Sequence, residues 1–283
     1  MTRVEVVADG LGFTEGPVVL PDDRIAVASI SHGCVYLVDR AGGVERIDTG
    51  GGPNGLAAGP DGALYVAQNG GVWGAPGPAE PGVQVIRDGR VEYVVEGLGA
   101  PNDLAFGPDG RLWVTDTVAA FPWAEPSAAR PGKAYAVDVA SGDCRCVLEE
   151  GPRFLNGLAF SSDGATLLVT ATIGAQLWAY PLAGDELAAG EVLTTFASGH
   201  PDGMTPALGG GYWVALLGAD RLDRVDDHGQ LAGSAPLPRG SLPTNACHDA
   251  ANLRHDAANL RHDGPALLVT AAHAGALLRV TLD

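Results

Sequence analysis

Short apolar runs recur along the chain, each bounded by Gly, Pro, Asp or Asn: "LYVAQ", "LWVTD", "KAYAVDV", "RVEYVVEG". This spacing of runs and turn residues predicts many short strands and no long helices. The pattern is also periodic. "PNGLAAGPDGALYVAQ" begins at Pro53, "PNDLAFGPDGRLWVTD" at Pro101, "LNGLAFSSDGATLLVTA" at Leu155 and "PDGMTPALGGGYWVAL" at Pro201. Degenerate copies begin at Thr14 ("TEGPVVLPDDRIAVAS") and Thr244 ("TNAC", then "DGPALLVTA"). In each copy an Asn or acid precedes a short strand, a "PDG" or "SDG" turn reverses the chain, and a second strand follows.

Aligned in this way, the copies place Glu15, Asn54, Asn102, Asn156, Asp202 and Asn245 in equivalent positions, 39, 48, 54, 46 and 43 residues apart. Six units of this length predict an all-β six-bladed propeller with four antiparallel strands per blade, a single domain over residues 1–283. The N-terminal "RVEVVA" is expected to complete the last blade, which ends in "LLRVTLD", and so to remove the open edges between first and last blades. An open β-sandwich accounts poorly for a sixfold period.

The six positions should then converge at one end of the central channel. All are oxygen donors and two are carboxylates. That chemistry suits one hard divalent cation per chain: calcium first, with magnesium, manganese, zinc and iron as alternatives. The competing reading of each residue alone is a turn former; six of six argue against it.

The sequence resembles the senescence-marker-protein/gluconolactonase/luciferin-regenerating-enzyme family, also called regucalcin-like. The resemblance is carried by "TEGPV" (14–18), "PNDLAFGPDGRLWVTD" (101–116), "LNGLAFSSDG" (155–164), "PDGMT" (201–205) and "LPTNA" (242–246). It implies a six-bladed propeller, often a metal-dependent lactonase, with Glu15, Asn156 and Asp202 as metal ligands and Asn102 as a further ligand or substrate contact. One position departs from the pattern: Ala100 stands where many relatives have an Arg two residues before the Asn that matches Asn102. A guanidinium able to hold a polar or anionic substrate is missing there.

A cation in such a ring can polarise a carbonyl and activate water, the two needs of lactone hydrolysis. The expected function is a metal-dependent hydrolase opening a lactone or similar cyclic ester, with Asp202 as general base and Asp103 in reserve. Two alternatives stay open: a metal-dependent isomerase, dehydratase or cyclase, and a non-catalytic metal- or ligand-binding propeller. Asn54, Asn102 and Asn245 are candidate substrate contacts. So are Trp73, Phe121 and Trp123, which sit on long Pro/Gly-rich loops at 67–82 and 115–132. Among His32, His200 and His273, His200 beside Asp202 is the strongest candidate. No "GxSxG" elbow, phosphate loop or dinucleotide fingerprint occurs.

A net charge of −17 gives the surface no electrostatic reason to bind nucleic acid or anionic lipid. No apolar run reaches membrane-spanning length, and "MTRVEVVADG" has no apolar signal core. Cys144 and Cys146 are too close for an ordinary disulfide or zinc knuckle. A cytoplasmic protein is expected, monomeric or homodimeric, acting on a small molecule. "HDAANLR" is duplicated around 248–263, placing His248, His255 and His262 at a seven-residue spacing. The alignment reads this as an insertion of about 11 residues in the last hairpin turn: Asn245 to Val269 takes 24 residues, against 12 or 13 in other blades. It is expected on the face opposite the metal.

Overall fold

The computed structural model describes residues 2–121, 123–184, 186–249 and 265–282. They form six small antiparallel sheets around a channel, a six-bladed β-propeller. The innermost strands are Thr14–Val19, Pro53–Ala58, Pro101–Phe106, Leu155–Phe160, His200–Pro206 and Pro243–His248. Each packs against the next, and the last returns to the first, closing the ring.

Of the apolar runs seen in the sequence, "LYVAQ" and "LWVTD" are second strands, "KAYAVDV" lies in a third strand and "RVEYVVEG" in an outer one. Ile25–Ser29, Leu64–Gln68 and Leu112–Asp116 are buried at every position because a neighbouring blade covers each face. The core is accordingly divided into layers between blades. Tyr65, Val83 and Val85 of the second blade pack on Leu104, Leu112 and Val114 of the third; equivalent clusters fill the other five interfaces. Outer strands face water: in Val44–Asp48 only Ile47 is buried.

The "DG" turns form as their chemistry requires. Asp61, Asp109 and Asp163 accept the N–H of the residue two positions on, at 3.2, 3.1 and 2.9 Å. Gly62, Gly110 and Gly164 take positive φ of 79°, 78° and 69°. Threonines at or just past the ends of the second strands tie blade to blade. Thr115 donates to the Asn156 carbonyl, Thr170 to that of Asp202 (2.6 Å) and Thr172 to that of Pro201 (2.8 Å). These bonds fix the innermost strands that carry the candidate ligands.

The ring closes as expected from the N-terminus. Arg3–Ala8 pairs antiparallel with Ala276–Thr281, with Arg3 opposite Thr281 and Glu5 opposite Arg279. A buried carboxylate adds to this closure: Asp249 receives Arg40 of the first blade at 2.7 Å and Arg279 of the last at 2.8 Å. Asp249 belongs to the first "HDAANLR" copy. Residues 250–264 of the duplication, including His255 and His262, lie outside the described residues. Its described ends meet where the Asp249 N–H bonds to the Ala266 carbonyl (3.0 Å), at the end of the hairpin away from Asn245. No helix among the described residues is long and apolar enough to cross a membrane.

Candidate active site

Glu15, Asn54, Asn102, Asn156 and Asp202 stand near the starts of five successive innermost strands, all buried. They line one cavity of about 150 Å³ together with Phe13, Ile30, Trp73, Trp123, Phe154 and Leu217. Because every innermost strand runs in the same direction along the channel, one position in the repeat becomes one layer across it.

The sixth expected member lies elsewhere. Pro101 is opposite Asp116, Pro201 opposite Leu216 and Pro243 opposite Ala271, each followed by a register irregularity. Counting from these prolines, the partner of Asn102 and Asp202 in the last blade is Thr244. Asn245 instead corresponds to Asp103, one layer further along the channel. In that layer Gly16, Gly55, Gly157 and Gly203 are pressed against neighbouring strands; a Cβ on Gly203 would lie 2.0 Å from Asn245 and one on Gly55 2.2 Å from Asp103. The glycines leave room for two side chains, which meet: Asn245 Nδ2 donates to Asp103 Oδ2 at 3.3 Å. Both residues line the larger cavity, about 420 Å³, at the other end of the channel, and not the smaller one. Asn245 is thus not placed to touch a substrate at the ring, and Asp103 is one layer removed from it. Pro243 was the signal: taken as the anchor, as at Pro53 and Pro101, it selects Thr244.

The electrostatics of the ring are unusual. Burial holds the Glu15 carboxyl well above the ordinary carboxylate range, and the negative charges of Asp202 and Asp103 push the same way; the Gly16 N–H and Thr244 hydroxyl offset this in part. Asp202 is also raised well above its ordinary value, by burial and by the charge of Asp103, against an opposing bond from Asn156. Asp103 is pushed up to about 6 by burial, despite bonds from the N–H groups of Leu104 and Leu158 and the Asn245 amide. Among the described residues no Lys or Arg lines the cavity to neutralise these groups. Asn156 is held by a bond from its Nδ2 to Thr172 Oγ1 (3.0 Å).

Two buried carboxylates without a cationic partner, beside three amides, form an oxygen-only donor set. The set suits a hard divalent ion, with Glu15, Asp202, Asn54, Asn102 and Asn156 as the residues able to hold it. Among the described residues no group of three or more His, Cys, Asp or Glu side chains has metal-holding geometry; here two acids and neighbouring amides would have to suffice.

Trp73 and Trp123 reach the cavity from their loops, and Phe121 stands behind them, 5.9 Å from Trp73 and 5.0 Å from Trp123 between ring centres. His200 does not line the cavity: its exposed ring meets the Thr172 carbonyl through Nδ1 at 3.2 Å. His32 is occupied by the Tyr36 hydroxyl (2.8 Å) and His273 is exposed. The sequence reading missed the apolar wall residues Phe13, Ile30, Phe154 and Leu217. Phe154 had a visible signal, because it precedes Asn156 by two residues just as Ala100 precedes Asn102. Ala100 itself is fully buried, its N–H bonded to Asp116 Oδ1 at 2.7 Å.

Fold and cavity together define a closed six-bladed propeller with an acidic, oxygen-lined candidate site at one end of its channel. Residues 13–255 match the SMP-30/Gluconolactonase/LRE-like region, and the chain belongs to that family. Three solved structures share the fold. A gluconolactonase from Xanthomonas campestris is 22% identical, with a TM-score of 0.80 over 100% of this chain and 90% of that one. A luciferin-regenerating enzyme is 17% identical, TM-score 0.80, over 100% and 96%. Regucalcin from Agrobacterium tumefaciens, described as a calcium-binding protein, is 19% identical, TM-score 0.75, over 98% and 93%. No curated protein sequence matches the chain.

Proposed function

We propose that this protein is a divalent-metal-dependent hydrolase that opens a lactone or similar cyclic ester. One observation carries the reading: Glu15 and Asp202 are buried at one cavity where no described residue supplies a cationic side chain to compensate them. Such a pair is strongly disfavoured unless protonated or matched by a bound cation. Glu15, Asp202 and the Asn156 amide are the proposed core ligands, with Asn102 and Asn54 beside them. The all-oxygen set favours calcium, and the calcium-binding regucalcin of the same fold supports that choice.

When bound, the cation supplies Lewis-acid polarisation of an ester carbonyl and eases deprotonation of water. The protein's own residues supply the rest. Asn54 and Asn102 present amides to substrate oxygens. The rings of Trp73, Trp123 and Phe154 keep bulk water away from the reacting ester. Asp202 accepts the proton of the attacking water. Oxygen adds to the acyl carbon, the acyl–oxygen bond of the ring breaks, and the ring oxygen leaves with a proton as an alcohol. The product is a hydroxy acid, which releases one proton at neutral pH.

The test is metal analysis of the purified protein, followed by base uptake at constant pH with a panel of lactones before and after chelation. Acid release that chelator abolishes and the divalent ion restores supports the reading. Turnover indifferent to metal, or no turnover of any lactone by metal-loaded protein, would sink it.

A further inference from the structure

We infer that the substrate is an uncharged lactone carrying an apolar alkyl or aryl substituent, and not a polyhydroxylated sugar lactone; this rests on the hydrolase reading above. The cavity is divided by chemistry. Its oxygen donors are the five strand residues already described. The remaining lining side chains are Phe13, Ile30, Trp73, Trp123, Phe154 and Leu217, all apolar or aromatic.

Four rings form one continuous cluster. Trp73 is 5.2 Å from Phe154 and 6.4 Å from Trp123, Trp123 is 5.4 Å from Phe154, and Phe121 packs within 5.9 Å of all three. These rings come from three separate places in the chain: the loop between Leu64–Gln68 and Gly82–Arg87, the loop after Leu112–Asp116, and the start of the fourth blade. Phe154 is held at a φ of 56°, a left-handed conformation that a bulky residue adopts only when its surroundings impose it. Local strain is therefore tolerated where an aromatic ring is set at the cavity wall.

A sugar lactone brings several hydroxyls, and each needs a partner once water is excluded. This wall offers few: its polar side-chain atoms are the two indole nitrogens of Trp73 and Trp123, and that of Trp73 is buried away from any accessible surface. A charged substrate is disfavoured as well, because among the described residues no Lys or Arg lines the cavity.

The test uses metal-loaded protein and lactones of one ring size, either hydroxylated or bearing alkyl chains of increasing length. Each added methylene that becomes buried should raise kcat/KM by about fourfold until the wall is filled. Every alkyl lactone beyond the shortest should exceed its hydroxylated counterpart. Trp123→Ala, at a side chain 50% exposed, should fold normally and flatten the chain-length dependence. Trp73→Phe, which keeps an aromatic ring in the wall, should keep the slope. Equal or better turnover of hydroxylated lactones would overturn the inference.

If no lactone is turned over, the hydrolase reading fails, and binding decides the ligand class by itself. Tryptophan fluorescence is then titrated with non-hydrolysable lactams bearing the same substituents. Saturable quenching by alkyl lactams, weakened in Trp123→Ala, upholds the apolar ligand class. Preference for hydroxylated lactams, or no quenching by any, refutes it.

Discussion

Replacing Asp103 by Asn should stabilise the metal-free protein at neutral pH while leaving it unchanged or slightly less stable in acid. Asp103 is fully buried between the two channel cavities, and its carboxyl is pushed from 3.8 to about 6, chiefly by burial. A shift of that size makes the ionised form about 3 kcal/mol less favourable in the fold than in the unfolded chain. The sign follows from proton binding. The folded state holds the Asp103 proton more tightly, so stability falls as pH climbs from about 4 through about 6 and levels off above. Asn keeps the acceptor for the Leu104 N–H (2.9 Å) but presents an amide to Asn245, disturbing a contact that is already long at 3.3 Å. That loss costs about 1 kcal/mol. The expected net gain is about 2 kcal/mol at pH 8, shrinking to nothing or a small loss at pH 4. The assay is urea denaturation of wild type and Asp103→Asn in chelator, from pH 4 to pH 8. A variant no more stable than wild type at pH 8, or a difference independent of pH, would refute the electrostatic account.

Asp202→Asn should abolish tight metal binding, seen by titration calorimetry, and lower turnover at least about 10³-fold by removing both a ligand charge and the proposed base. The same variant should not destabilise the metal-free protein, because burial and the charge of Asp103 already disfavour the ionised carboxyl that the amide replaces. Asp249→Ala should destabilise by about 3 kcal/mol, the low end for a buried ion pair, because Arg40 and Arg279 keep some access to water; denaturation midpoints measure it. Deleting residues 249–255 should instead leave stability within about 1 kcal/mol and turnover unchanged, because His248 then joins Asp256 and restores the same His-Asp-Ala-Ala-Asn run. A deletion as damaging as Asp249→Ala would show that Asp256 cannot take the place of Asp249.

The blades, their number and the closure through the N-terminal strand were legible from the repeat. Turn chemistry and apolar runs are local properties, and six copies of them admit few arrangements. Five of the six ring positions were legible for the same reason: Glu15, Asn54, Asn102, Asn156 and Asp202 hold one place in the repeat, and a closed ring turns one place into one layer. The sixth was not. Asn245 looked like its partners because it is an Asn before a strand, but strand register follows backbone pairing and not residue type. Pairing of Pro243 with Ala271 sends Thr244 to the ring and Asn245 to Asp103.

Residue types and their period were enough to define the architecture and the oxygen chemistry of one channel end. They could not define distances between residues far apart in the chain. The meeting of Asp103 with Asn245, the gathering of Trp73, Phe121, Trp123 and Phe154 into one wall, and the burial of Asp249 between two arginines each join distant segments. Such contacts depend on how blades pack across the channel and around the ring. That packing is set by burial and close approach in three dimensions, which no local pattern encodes.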